Sequence, residues 1–525
     1  MYDGVNRPAQ VTYADSSTTS YTFDGGNRVT QIVDSVSGTI TRGYDNLDRL
    51  TSETTPQGSV SYTYDAAGRR ATMTVAGQPT VTYAYDNANK LTDIAQGSSN
   101  IHFDYDTAGR RTKTTLPNGV TENYTYDAAS RLTGIEYWNG TTLLGNLTYE
   151  YDAAGNRTKI GGSYARTGLP QPVSSSSYNE ANQQTAWAGT MQTYDANGNL
   201  VGDGTNTYTW DARNHLAFMT GPGLSASFQY DAFGRRTNKT INGSSTGFLY
   251  DGFNPVQELS GTTPTANLLT GRQIDQYFAR TDAAGSKSFL NDQLGSTVAL
   301  ADSSGTVQTE YTYEPFGNTT VTGATSSNTL QYTGRENDGT GLAYYRGRYY
   351  SAGSQRFISN DPIGFNGGDV NLYAYVSNNP LRWRDPLGWD KNGPNGPGPN
   401  GPWPGGPPPP NVILVSDTGS PPPPGILVQI LCAAIIGCSP GDDFTSIFGP
   451  PALTTIGDIN YSDHALQQME NRRIPPSVVD DTIKNGNSAP GNRPGTTTFY
   501  DSGNNVTVVT NSETGTVITV RRGPP

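Results

Sequence analysis

An aromatic residue followed by aspartate returns along the first half of this chain on a beat that leaves little freedom of fold. Tyr2-Asp3, Phe23-Asp24, Tyr44-Asp45, Tyr64-Asp65, Tyr85-Asp86, Tyr105-Asp106 and Tyr126-Asp127 lie 20 to 21 residues apart. The spacing loosens at Tyr151-Asp152 and Tyr194-Asp195, then returns with Trp210-Asp211, Tyr230-Asp231 and Tyr250-Asp251. A full unit reads YTYDAAGRR, from Tyr62 to Arg70, followed by TMTV and a short turn. Tyr and Thr alternate, so one face of a strand carries rings and the other hydroxyls. Asp begins a turn, Gly supplies a positive φ, and Arg opens the next strand. One such strand–turn–strand unit cannot bury its ring face alone, whereas stacked neighbours can, so the repeats predict a long β-sheet. The repeated Asp and Arg are read as structural, pairing across adjacent turns as a ladder, because catalysis repeated in every unit makes no chemical sense. His102 and His215 fall in such units and are read as surface or packing residues.

Composition agrees with this reading. Only 33% of residues are hydrophobic, while Tyr occurs 32 times and Gly 62 times, which suits sheets held by amphipathic rings and cross-strand pairs. The net charge of −12 gives no general attraction for nucleic acid or anionic membrane. Two cysteines, Cys432 and Cys438, are too few for a disulfide-stapled fold. They are read as a buried free pair, with a local disulfide as the alternative; no histidine lies near enough to make a metal site. No cofactor is expected. The start, MYDGVNRPAQ, has neither the basic nor the apolar region of a Sec signal. No run reaches the roughly 18 apolar residues of a membrane-crossing helix.

From about Gly271 the beat dissolves into NDQLGST, with Asp292, Gly295 and Ser296, and EPFGN, with Glu314 to Gly317. Between Gly341 and Trp389 the motifs RGRYY, QRFISNDPIGF, NLYAYVSNNP and RDPLGW follow one another in order. That series resembles the core domain of Rhs/YD-repeat proteins, the class that includes polymorphic bacterial toxins and the C components of Tc toxin complexes. The resemblance implies a mostly β fold: a spiralling YD-repeat sheet that closes into a hollow shell, with the core plugging one end. The expected divisions are repeats over 1–270, the core over 271–389, a Pro/Gly-rich linker over 390–425, an apolar segment over 426–451 and a small α+β domain over 452–525. The apolar run Ile426–Cys438 is placed first against the inner wall of the shell.

In such cores the chain cuts itself after a D-P-x-G-L motif, using aspartates and an arginine. The matching positions are Arg348, Asp361 and Asp385, and the matching bond follows Trp389, which stands where the family usually has Leu. Amide hydrolysis needs one group to take a proton from water and another to protonate the carbonyl oxygen or the leaving nitrogen. Two close carboxylates sharing a proton can serve both needs, and Arg348 would position one of them or stabilise developing charge. The ordinary reading of Asp361 and Asp385 is that they cap Asp-Pro turns. Arg356, Tyr349, Tyr350, Asn378, Asn379 and Pro380 also match the core pattern and are read as packing and turn residues.

In the final domain, Ala465, Leu466, Met469 and Ile474 mark one face of a helix capped by Ser462 or Asp463. A second helix carries Val478, Val479 and Ile483 and stops at Gly486. Strands follow in TTTFYD, NNVTVVTN and GTVITVRR. His464 lies ahead of Arg472 and Arg473, and the last strand ends in Thr519, Arg521 and Arg522. This pattern resembles small toxin domains related to the RelE/barnase/EndoU/colicin group of RNases. The resemblance implies a metal-independent cut, with His464 as acid or base and Arg472, Arg473, Thr519 or Arg521 at the phosphate. Residues 452–525 nonetheless hold six Lys/Arg against seven Asp/Glu, which does not advertise a basic face. No P-loop, HExxH or GxSxG is present.

The expected whole is an Rhs-type toxin that reaches the surface or exterior by a non-Sec route and acts in the cytoplasm of a neighbouring bacterial cell. Its expected partners are a delivery apparatus, RNA as substrate and a cognate immunity protein. The competing expectations are a non-enzymatic adhesion scaffold, or the same carrier with an effector aimed at DNA or protein.

Overall fold

The computed structural model describes residues 1–170 and 172–389 and, within the final domain, 454–456, 459–461, 465, 469, 474, 476–491 and 495–524. Cys432, Cys438, Ser462, Asp463, His464, Leu466, Arg472 and Arg473 lie outside the described residues, as does the expected linker.

Nearly all the regular structure is antiparallel meander. A 15-stranded sheet runs in sequence order from Gln10–Thr12 to Arg157–Gly161, and a 14-stranded sheet runs likewise from Thr193–Tyr194 to Thr319–Gly323. Each aspartate of the repeat closes a tight loop between strands. In one unit the Asp65 amide donates to the Arg69 carbonyl at 2.9 Å, and Asp65 Oδ1 accepts the Ala67 and Arg69 amides. Gly68 takes the left-handed position there (φ 79°), a slot filled by Asn89 (φ 62°) in the next unit. Asp, Asn and Ser also tolerate it elsewhere, so the position is broader than glycine alone.

The ladder differs in detail from expectation. Arg69 pairs first with the aspartate of its own turn, Asp65, at 2.7 Å, because the loop brings residues i and i+4 face to face. Its other arm donates to Asn89 Oδ1 at 2.8 Å in the next turn, and its guanidinium lies 4.5 Å over the Tyr85 ring. The Tyr85 hydroxyl in turn donates to the Arg70 carbonyl at 2.9 Å. The Tyr-Asp pair therefore recurs because each unit grips the one before it. On the solvent face, the hydroxyls of Thr63 and Thr72 lie 2.7 Å apart across the strands. His102 sits on the half-exposed face against Asp93 at 2.8 Å, and His215 stacks on Tyr230 at 4.6 Å.

The second sheet lies on the first and follows it in the same chain direction. Arg213 meets Asp34 at 2.8 Å, Tyr62 donates to Asp251 at 2.8 Å, and Asn118 donates to the Asp302 carbonyl at 2.8 Å. Where the sheets face each other they touch: Phe103 and Phe278 pack at 5.6 Å within one continuous apolar cluster. The core domain covers the opposite face of the second sheet. Consecutive residues show it, since Leu269, Leu290 and Ala299 pack toward the first sheet while Leu268, Phe289 and Leu300 join Tyr277, Tyr311 and Leu330 on the other side. Buried on both faces, strand Thr297–Ala301 has no alternation at all, as expected for a middle layer.

The final domain is a six-stranded sheet with a helix at Pro476–Asn485. The three expected strands appear as Thr496–Asp501, Val506–Asn511 and Val517–Arg522. Three more, Thr454–Ile456, Ile459–Tyr461 and Asn487–Pro490, extend the sheet at its edges. These are three or four residues long and too short to carry a periodic signal. Ala465, Met469 and Val479 are buried against Val508 and Val520, and Gly486 ends the helix by donating to the Thr482 carbonyl at 3.0 Å. Phe365, from the core domain, packs on this same cluster.

Candidate active site

The site grows from a hairpin in the small core sheet, Ala343–Tyr345 against Arg348–Ser351. Arg346 makes its turn with φ 59°. That left-handed residue is held by Asp275 at 2.6 Å, by the Phe253 carbonyl and by the Pro386 carbonyl. Burial raises the Asp275 carboxyl, but Arg335 and Arg346 outweigh it and hold the group below the usual carboxylate range. The turn is thus fastened on one side to the second sheet and on the other to the RDPLGW segment.

Arg348 leaves this hairpin into the interior, with 3% of its side chain exposed and its guanidinium 3.6 Å over the Phe357 ring. Nε donates to the Gly388 carbonyl and Nη1 donates to the Leu372 carbonyl at 2.8 Å. Nη2 lies 3.0 Å from Asp361 Oδ2 and 3.5 Å from Asp385 Oδ2. One guanidinium therefore joins both aspartates and the backbone next to Trp389.

Each aspartate divides its work between its two oxygens. Asp361 Oδ1 accepts the Ile363 amide at 3.0 Å, and Asp385 Oδ1 accepts the Trp389 amide at 2.8 Å. Both Oδ1 atoms cap Asp-Pro turns, as the ordinary reading of such residues has it. Both Oδ2 atoms point to Arg348. The turn role and the clustered role are held by different atoms of the same side chain.

Trp389 closes the site. Its indole lies on Gly347, where a side chain would collide with Nε1, and Gly388 (φ 75°) abuts the Tyr345 carbonyl. The Trp389 carbonyl oxygen and Asp361 Oδ2 converge on Gly367: a Cβ built there would lie 2.9 Å from the first and 2.7 Å from the second.

Arg348, Asp361, Asp385 and Trp389 are thus brought together from three separate motifs. Arg356 is buried apart from them, donating to the Asn182 carbonyl at 2.6 Å. Sequence reasoning missed Arg346, Gly347, Gly367 and Asp275; the first two were signalled by the RGR triplet, the others by nothing local. In the final domain, Thr519 is half-buried and Arg521 and Arg522 are exposed at the end of the last strand. Among the described residues, no group of His, Cys, Asp and Glu is arranged to hold a metal ion.

The Teneurin YD-shell family matches residues 119–381 and the RHS repeat matches residues 2–40 and 44–80. The chain belongs to the Rhs/YD-shell family. It is 34% identical over 254 residues to the tRNA nuclease WapA of Bacillus subtilis strain 168, a match covering 46% of this chain and 11% of that protein. It is 28% identical over 253 residues to the double-stranded DNA deaminase toxin A of Burkholderia cenocepacia, covering 40% of this chain and 18% of that one. The crystal structure of TcdB2-TccC3-TEV superposes with a TM-score of 0.55 at 18% identity, over 74% of this chain and 27% of that one, a likeness of fold. The chain spans about a tenth of the length of the WapA nucleases.

Proposed function

We propose that this chain is an Rhs-type polymorphic toxin whose core severs the peptide bond between Trp389 and Asp390 and so frees a C-terminal effector. The observation that carries the reading is the Arg348 guanidinium, which gathers Asp361, Asp385 and the Gly388 carbonyl beside that bond. Water adds to the Trp389 carbonyl carbon, giving one proton to the Asp385 carboxylate, while Asp361 gives its proton to the carbonyl oxygen. On collapse the C–N bond breaks. The Asp390 nitrogen takes the proton from Asp385 and leaves as an amine; Asp361 recovers its own proton, and Trp389 ends as a carboxylic acid. Holding the bond inside the folded core makes the step intramolecular, worth several kcal/mol of barrier. Freshly made protein should run as two bands on a denaturing gel, the smaller of 136 residues. Asp385→Asn should leave one band; two bands from that variant would remove the aspartate from the chemistry.

The effector is read as a metal-independent ribonuclease, with His464 as acid or base and Arg472, Arg473, Thr519 and Arg521 at the phosphate. The naming of WapA as a tRNA nuclease supports RNA as the target. The deaminase relative favours, as a second reading, an effector aimed at DNA. Delivery by a secretion apparatus to a neighbouring cell, and a cognate immunity protein in the producer, follow from the toxin reading. Expression in a bacterial cytoplasm should arrest growth with RNA degraded and DNA intact, and His464→Ala should relieve it. Edited or cut DNA with intact RNA would replace the first reading by the second.

A further inference from the structure

We propose that Gly367 is a positioning residue of the self-cleavage site, the place where the missing side chain lets Asp361 approach the carbonyl to be attacked. The proposal rests on the self-cleavage reading above. Gly367 ends the short 3-10 turn Gly364–Gly367 that follows Asp361-Pro362, and Gly368 comes next. The two neighbours are glycine for different reasons. Gly368 has φ 75° and caps the turn in a left-handed conformation, with nothing within 4 Å of the place a Cβ would occupy. Gly367 has no left-handed backbone, yet a Cβ there would meet Asp361 Oδ2 at 2.7 Å and the Trp389 carbonyl oxygen at 2.9 Å.

Neither oxygen can retreat cheaply. Asp361 Oδ2 is fixed by Arg348 at 3.0 Å and its partner Oδ1 by the Ile363 amide, while the Trp389 oxygen belongs to backbone whose amide is held by Asp385. A methyl group at 367 would therefore press on both the acid and the oxygen that must take its proton. At 367 the backbone lies outside the left-handed region, so backbone conformation alone does not demand glycine there. Gly367 serves close approach, whereas Gly368 serves conformation.

The test is the rate at which the fragment 390–525 appears after pulse-labelled cell-free synthesis of the full chain, in buffers spanning pH 5 to about 9. Gly367→Ala should slow the fragment by about 100-fold, the usual cost of misplacing a reacting group by about 1 Å. It should also flatten whichever limb of the pH–rate profile is lost in Asp361→Asn, a change that a loss of stability alone would not produce. Gly368→Ala, which strains backbone and touches nothing, should lower the thermal midpoint of the uncut chain and keep the wild-type profile. Wild-type cutting by Gly367→Ala would overturn the proposal, as would slow cutting with an unaltered profile. A wild-type chain that never cuts would remove the underlying reading and the proposal with it, a result distinct from either.

Discussion

Asp385 accepts the backbone amide of Trp389 at 2.8 Å, so the carboxylate that opens the RDPLGW turn also grips the residue that ends it. The same side chain presents its other oxygen to Arg348. The turn and the contact with Arg348 are therefore set by one side chain, and disturbing either disturbs both.

Arg348→Lys should abolish cutting. An ammonium is a single point charge and cannot reach the Gly388 and Leu372 carbonyls while touching both aspartates, which the guanidinium does with three nitrogens. The fragment band should be absent. Urea unfolding should show a loss of about 1–3 kcal/mol, the scale for buried carbonyls left without a donor while the charge is kept.

Gly347→Ala should slow cutting only while residue 389 is tryptophan, since the indole lies on the glycine. Trp389→Leu should cut, and the double change Gly347→Ala with Trp389→Leu should cut faster than Gly347→Ala alone by about 10-fold, a coupling within the range for touching residues. Equal rates in those two chains would show that the ring and the glycine are independent.

Glu122 is buried beside the Tyr124 hydroxyl, and burial pushes its carboxyl up to about 7 from an ordinary 4.5. The folded chain then holds a proton that the unfolded chain has lost. Its contribution is full below about pH 4.5 and is gone above about pH 7, so stability falls as pH rises through that window. The loss is on the order of 3 kcal/mol. Urea midpoints at pH 5 and 8 should differ in the wild type, and Glu122→Gln should remove most of the difference.

Arg236 is fully buried between the second sheet and the core, pairing with Glu336 and Asp338, with Lys239 on Asp338 at 2.7 Å. Arg236→Met should cost about 3–5 kcal/mol, because two buried carboxylates are left with one lysine. Replacing all four charges, Lys239 included, by apolar residues should cost far less, and comparing the two chains by urea unfolding separates pairing from packing.

The repeats were legible because the first sheet has one wet face: strand Gly58–Tyr64 alternates buried and exposed, so its sequence alternates too. The second sheet was harder to read. Thr297–Ala301 is covered on both sides, its side chains are uniformly apolar or small, and nothing in such a run says which layer each residue meets. Arg348, Asp361 and Asp385 were legible because turn-forming motifs fix them locally. Asp275 and Gly367 were not, since their importance comes from what segments distant in sequence bring beside them.

The layering also sets an order of events on the ribosome. The first sheet is complete by Gly161, but the strands that cover it begin only at Thr193, and Asp34 must wait for Arg213 to be made. For that interval a broad tyrosine-lined surface faces the cytosol bare, the state in which a half-made chain is most apt to stick to its neighbours. A slowing of translation, or a chaperone that binds aromatic sheets, would matter there more than anywhere later in synthesis.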